Sequence, residues 1–413
     1  MSESFFTSRW VSRPPGLLDC AAIPAGFRFA ALAAGVKGPT PAGLDVGLIV
    51  AEPAGTVSAV RFCDSGVLAA PVVVTRERCD PHGLRAVVAN SGNANAATGE
   101  AGLEQAVAVQ EAAAAALGLD PREVAVASTG VIGVPLPGGR IAAALPALAG
   151  ALGVDPLGFA HAIRTTDVLD KHVALELELP SGSVRIAAQC KGAGMISPRF
   201  ATMLCFVQTD VALDAQTAEL LLGASVKRSF DRISVDGQLS TNDTVILMAS
   251  GASGVRIERE SEDELRLGEA LDALLRQLAL RIVADGEGAR RIGCVRVRGA
   301  GEETVARVAR GVANSPLVKA ALFGGDPNWG RVAQAIGAAT AGRAPLRFDI
   351  AIEGVSVARD GAAAEHDAAA LAAAVARDEV LYEIELEGTG AEAELFFSDL
   401  SYDYVKINAE YTT

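Results

Sequence analysis

Histidine is scarce: the four present, at 82, 161, 172 and 366, fall in no His-Glu-x-x-His spacing, so no zinc site is visible. The six cysteines, at 20, 63, 79, 190, 205 and 294, form no Cys-x-x-Cys pair, and a chain of this size needs no disulfide staples. They read as reduced thiols, mostly buried. Half of the residues are hydrophobic, yet no stretch approaches the ~20 apolar residues of a membrane span. Positive charge is in deficit, with 36 basic against 50 acidic residues and a net charge of -14. That balance argues against a phosphate-tracking surface, so nucleic acid is not an expected partner. The first ten residues, Met1 to Trp10, carry no apolar h-region. The expectation is a cytoplasmic enzyme with neither a secretion signal nor a membrane association.

What is present is a mixed α/β (α+β) chain, 413 residues long and therefore expected in two or three lobes. Leu103–Leu117 reads as an alanine-rich helix stopped by Gly118, followed by a short strand Val124–Ala127 that ends in a turn at Ser128-Thr129-Gly130. Val173–Leu179 and Ser183–Ala188 read as a hairpin. Asp214 caps a helix to about Arg228, and Ser261-x-x-Glu264 starts a long helix with the stripe Leu265, Leu271, Leu274, Leu275 and Leu278. That helix ends near Gly286, which leaves Glu287 in a loop. Ser315-Pro316 opens a short helix. From about residue 290 the pattern of strand, alanine-rich helix and two strands reads as a smaller C-terminal α+β lobe.

The chemistry is placed at Ala201-Thr202, between the Gly-rich Lys191-Gly-Ala-Gly-Met-Ile-Ser-Pro198 and the apolar Met203–Val207. Apolar residues without alternation suit a strand covered on both faces, with Thr202 at its head. A threonine hydroxyl is a poor nucleophile until a base takes its proton, and cleavage just before Thr202 would free an amine there. Such an amine titrates near ~7.7–8 and is substantially neutral in a neutral cell. The plainer reading of the same residues is a glycine turn feeding a buried strand.

The segment resembles the self-processing site of the ornithine acetyltransferase family, the bifunctional glutamate N-acetyltransferases of arginine biosynthesis. Further matches run in order along the chain: Asn90-Ser-Gly-Asn-Ala-Asn-Ala96, Ser128-Thr-Gly-Val-Ile-Gly133 and Ser240-Thr-Asn-Asp-Thr244. They continue with Asp285-Gly-Glu-Gly-Ala289, Gly325-Asp-Pro-Asn-Trp-Gly-Arg-Val332 and the closing Asn408-Ala-Glu-Tyr-Thr-Thr413. The resemblance implies sheets sandwiched between helices, in the autoprocessed N-terminal-nucleophile arrangement. It implies cleavage between Ala201 and Thr202 into an alpha chain, 1–201, and a beta chain, 202–413, which includes the smaller lobe. Two of each would form a heterotetramer.

By the same resemblance Thr202 is the nucleophile, Thr129 and Gly130 form the oxyanion hole, and Thr165, Lys191, Thr202, Glu287, Asn408 and Thr413 bind substrate. The implied reaction moves the acetyl group of N2-acetylornithine to glutamate without a cofactor, with acetyl-CoA as an additional donor in some relatives. On residue chemistry alone Lys191 is equally a solvated turn lysine, Glu287 a surface charge and Asn408 part of a frayed tail. Cys205 reads as core. The sequence departs from the family at Val168-Leu-Asp170, where a Thr-x-Pro is common, and at Gln238-Leu239, where Asp-Thr is common. Both changes remove a polar group beside the expected site and bear on fine specificity. Two other readings stand beside this one: an autoprocessing amidase or aminopeptidase that passes the acyl group to water, and an uncleaved binding protein.

Overall fold

The computed structural model describes residues 5, 8–38, 43–197, 203–388 and 390–410. Ala201, Thr202 and Thr413 lie outside the described residues.

Two sheets stack face to face. One has six strands in the order Leu17–Asp19, Lys171–Leu179, Gly182–Lys191, Leu204–Thr209, Thr244–Ala249 and Val57–Phe62. The other has four, in the order Phe27–Leu32, Val46–Ala51, Ala86–Asn93 and Val124–Val131. Strand Leu204–Thr209 shows why the sequence carried no alternation. Leu204 and Phe206 point into the layer between the sheets, whereas Cys205 and Val207 point into the core under the outer helices. The layer between the sheets includes an aromatic run in which Phe206 meets Phe159 edge-on, with ring centroids 5.4 Å apart.

Helix Glu262–Ala284 covers the outer face of the six-stranded sheet, held at its start by Glu264 N donating to Ser261 Oγ at 3.1 Å. Leu271, Leu274, Leu275 and Leu278 are buried as the stripe predicts, but Leu265, one turn from the N-terminus, is 63% exposed. Helix Ala215–Arg228, capped by Asp214, packs beside it. Helices Ala70–Arg78, Gly99–Leu117 and Gly138–Gly150 cover the four-stranded sheet from the other side. Gly118, in the left-handed region at φ 67°, stops the second of these as expected. The order helix, sheet, sheet, helix is the predicted sandwich.

The smaller lobe has its own core and a seven-stranded sheet, six strands from its own residues and an edge strand, Ile233–Ser234, from before it, covered by helices Glu302–Ala313, Pro316–Gly324 and Trp329–Ala339. Trp329 packs at the start of the last of these. After strand Glu392–Ser398 the chain forms a helix, Tyr402–Glu410, an element that sequence position alone would have dismissed as a frayed tail and that the closing motif marked only as a substrate contact.

Register places the site. Lys191, Leu204 and Thr244 lie in one row across three neighbouring strands. The strand Val124–Val131 ends beside that row, joined to it through Lys191 and Thr129. Ser128-Thr129-Gly130 is thus the paired end of this strand and not a turn beyond it, because Asn90, Ser91 and Gly92 continue the ladder opposite.

Candidate active site

At this edge of the sandwich lies a cavity of about 130 Å³. Six of the residues expected from sequence, Thr129, Gly130, Thr165, Lys191, Glu287 and Asn408, line it. They come from a strand end, a loop, a second strand end, the loop after a long helix, and the final helix. The segment holding Ala201 and Thr202 is outside the described residues, but its flanks are fixed here. Gly194 and Met195 line the cavity, and Met203 N donates to Asp243 Oδ1 at 2.9 Å.

On one wall Lys191, only 2% exposed, donates from Nζ to Thr129 Oγ1 at 3.1 Å. An ammonium donates and cannot accept, so the Thr129 oxygen is the acceptor and its own proton is left for another partner. Gly130 follows at φ 132°. A Cβ there would meet the Gly92 carbonyl carbon at 2.4 Å, so the two backbones approach more closely than any side chain permits. Register shifts at Gly92 and Asn93 make this approach, with Asn93 Oδ1 accepting from Asn95 N at 2.7 Å. The Asn90–Ala96 motif therefore shapes the backbone beside Thr129 and Gly130.

Beneath this wall runs a chain of buried charges. Asp167 Oδ1 accepts from Lys171 Nζ at 2.7 Å and from Gly192 N at 2.7 Å, while its Oδ2 accepts from Thr165 N at 3.2 Å. Lys171 also donates to Asp285 Oδ2 at 2.5 Å. Burial would raise the Asp167 carboxyl, but Lys171 and Lys191 outweigh it and hold Asp167 below the usual carboxylate range. Burial pulls the Lys191 ammonium below the usual lysine range, with Asp167 opposing.

The facing wall is acidic. Glu287, 7% exposed, accepts from Asn408 Nδ2 at 2.7 Å and has no cationic partner among the described residues. Its carboxyl lies over Gly194, where a Cβ would come within 2.6 Å of it. Gly288 brings the last helix close: a Cβ there would lie 2.7 Å from Tyr404 N. Asp236, which sequence reasoning missed, accepts from Met195 N at 2.6 Å and Ile196 N at 3.0 Å, clamping the loop that leads towards Thr202. Burial raises its carboxyl above the usual range, and Glu287 adds to the effect.

Asn242 and Asp243 sit at the head of strand Thr244–Ala249. Asn242 Nδ2 donates to Ala94 O at 2.9 Å, and burial pushes the Asp243 carboxyl well above its ordinary range. The only forewarning of these two was their place in Ser240–Thr244, a matched motif without an assigned role. Cys205 is fully buried, paired across the ladder with Cys190, and burial raises its thiol, so it is core as expected. Of the two departures, Gln238 lines the cavity, whereas the Val168 and Leu169 side chains are exposed and only their N–H groups reach inward, to Asp285.

A hydroxyl beside a tight backbone, a buried ammonium and, facing them, a carboxylate without a cationic partner among the described residues suit a small ligand that carries both signs of charge and an acyl group. The chain belongs to the ArgJ family, which matches residues 28–413. It is 45% identical over 396 residues to arginine biosynthesis bifunctional protein ArgJ of Symbiobacterium thermophilum, covering 94% of this chain and 98% of that one. It is 44% identical over 392 residues to the protein of the same name from Geobacter sulfurreducens, covering 94% and 99%. A crystal structure of the Bacillus halodurans ArgJ protein matches 50% of this chain and 98% of its own, at 34% identity and a TM-score of 0.47.

Proposed function

We propose that this chain is a glutamate N-acetyltransferase of arginine biosynthesis, moving the acetyl group of N2-acetylornithine to glutamate through an acetyl-Thr202 intermediate. The observation that carries this reading is the convergence of Thr129, Gly130, Thr165, Lys191, Glu287 and Asn408 on one cavity that Gly194 and Met195 also line. Membership of a family whose relatives are named bifunctional arginine biosynthesis proteins supports it.

In the proposed cycle the chain cuts itself between Ala201 and Thr202, and the new amine of Thr202 serves as base. The Thr202 hydroxyl loses its proton to that amine and its oxygen bonds to the acetyl carbonyl carbon. Thr129 Oγ and Gly130 N–H donate to the oxyanion. The bond from carbonyl carbon to the ornithine nitrogen breaks, the proton passes to that nitrogen, and ornithine leaves. Glutamate's amine then attacks the acetyl-threonine, giving N-acetylglutamate and the free hydroxyl. The atoms balance without a cofactor. Glu287, steadied by Asn408, receives the cationic side chain of the donor, while Thr165 and Lys191, with Thr413, take the carboxylate end. Acetyl-CoA is proposed as an additional donor to glutamate. The cleaved alpha chain, 1–201, and beta chain, 202–413, stay together because strand Leu204–Thr209 lies between two strands of the six-stranded sheet, and two of each make the assembly. No helix among the described residues is long and apolar enough to cross a membrane, and the proposed place of work is the cytoplasm.

Product analysis tests the reading. Acetylornithine with glutamate should give ornithine and N-acetylglutamate in equal amounts. Equally fast release of ornithine and free acetate without glutamate would replace the transferase by a hydrolase.

A further inference from the structure

Four charged side chains form a buried series behind Thr129: Asp285, Lys171, Asp167 and Lys191. The Lys171 side chain is 1% exposed, Asp167 0% and Asp285 4%. Two carboxylates and two ammoniums sum to zero, the condition under which a buried cluster can remain ionised. Asp167 is the hub, gripping Thr165 N and Gly192 N from two walls of the cavity while accepting from Lys171. Asp285 anchors the far end and also takes the N–H groups of Val168 and Leu169. Lys191 makes its hydrogen bond to Thr129 Oγ1, and Thr129 faces the cavity.

We propose, building on the acyl-transfer reading above, that Lys171 and Asp285 are positioning residues for the oxyanion. Through Asp167 they hold Lys191 as a cation whose hydrogen bond turns the Thr129 proton into the cavity. With Lys191 charged, Thr129 Oγ can only accept from it, and a hydroxyl that accepts from a cation is a stronger donor to the oxyanion. Were Lys191 neutral, its lone pair could accept the Thr129 proton and point it away from the substrate. Besides Asp167 and Lys171, the titratable groups facing Lys191 are Cys190 on its own strand, Asp243 at the head of strand Thr244–Ala249, and Lys37 in the loop after strand Phe27–Leu32. Glu287 and Asp236 face it across the cavity.

The test is the pH dependence of kcat for cleaved, full-chain enzyme. Its acid limb belongs to the Thr202 amine and its alkaline limb to Lys191. Asp285→Asn leaves the series with one excess positive charge, which favours loss of a proton, so the alkaline limb moves to lower pH. At about pH 9, relative to its own rate near pH 7, the variant should lose about tenfold more activity than wild type. Lys171→Met leaves one excess negative charge and should move the same limb to higher pH. The double variant Lys171→Met/Asp285→Asn restores neutrality and should return the limb towards wild type, and it decides the matter if either single variant fails to fold. Alkaline limbs that coincide in all four proteins, with rates lowered uniformly or not at all, would overturn the proposal. A wild-type enzyme without acetyl transfer would instead remove the reading on which it rests.

Discussion

Asn408 Nδ2 donates to Glu287 Oε2 at 2.7 Å, joining the final helix to the loop after helix Glu262–Ala284 across 121 residues of chain. The bond aims a buried carboxylate at the cavity and uses one of its four lone-pair positions, leaving the others for a ligand cation. A hydrogen bond to a charged group contributes ~1.5–3 kcal/mol, so Asn408→Ala should raise KM for acetylornithine by about tenfold with little change in kcat. Steady-state kinetics at saturating glutamate check it. An effect confined to kcat would place Asn408 at the reacting atoms instead.

Gly194→Ala separates fold from function at the same carboxylate. The added Cβ would meet the Glu287 carboxyl at 2.6 Å, the far end of a flexible side chain that can swing aside. Thermal stability should therefore be nearly unchanged while KM for acetylornithine rises several-fold. A large fall in Tm would show that Glu287 is a structural partner of Gly194 first.

Thr129→Ala removes a hydroxyl that already accepts from Lys191 at 3.1 Å. An oxyanion donor acts mainly in the transition state, so turnover should fall by ~10²–10³ with modest change in KM. Thr129→Ser should recover most of the rate, because the hydroxyl and its hydrogen bond to Lys191 are kept.

Much of this architecture was legible because it is locally encoded. Ser261 with Glu264, Asp214 before its helix and Gly118 after another each act within a few residues, and each was found where its chemistry put it. The two-sided burial at the start of strand Leu204–Thr209 was readable from the unbroken apolar run Met203–Val207. What stayed hidden depends on pairing over long separations. Lys191 and Thr129 are 62 residues apart, and Lys171 meets Asp285 across 114, so nothing local marks them as neighbours. Ser128–Gly130 looked like a turn because only the partner strand, with its irregularity at Gly92 and Asn93, extends the ladder that far. The final helix was missed because it buries none of its residues, so its sequence carries no apolar stripe. The named residues Thr129, Gly130, Thr165, Lys191, Glu287 and Asn408 came from the resemblance and not from the physics of their own segments.

Lys319 gives a prediction on stability. Its Nζ donates to the Ser398 carbonyl and, at 3.2 Å, to Ser398 Oγ, and burial pushes its ammonium down to about 7 from an ordinary value of 10.5. Between those two values the unfolded chain holds a proton that the folded chain does not, so this group makes stability rise with pH across the window. Below about 7 both states are protonated and the cost of burying the charge stands in full. Relative to wild type, Lys319→Met should therefore gain most at or below neutral pH and lose that advantage towards about pH 10. Urea unfolding of both proteins at three pH values measures it, and a difference independent of pH would contradict it.

The tail should matter more to the second half-reaction than to the first. In the proposed cycle the acetyl-threonine must be kept from water until glutamate arrives, and helix Tyr402–Glu410 brings Tyr404 and Asn408 to the cavity rim. Deleting residues 409–413 should lower transfer to glutamate more than it lowers release of ornithine. Following the two products separately checks this, and an equal loss in both would mean that the tail serves binding alone.

The central claim is a covalent acetyl group on a threonine that the chain itself exposes. Protein mixed with acetylornithine in the absence of glutamate, then denatured and weighed by intact-mass spectrometry, tests it directly. The account predicts two chains, 1–201 and 202–413, with one acetyl group on the second, mapped to Thr202 and lost when glutamate is added before denaturation. An uncut chain that is fully active, or an acetyl group carried on any other residue, would contradict it.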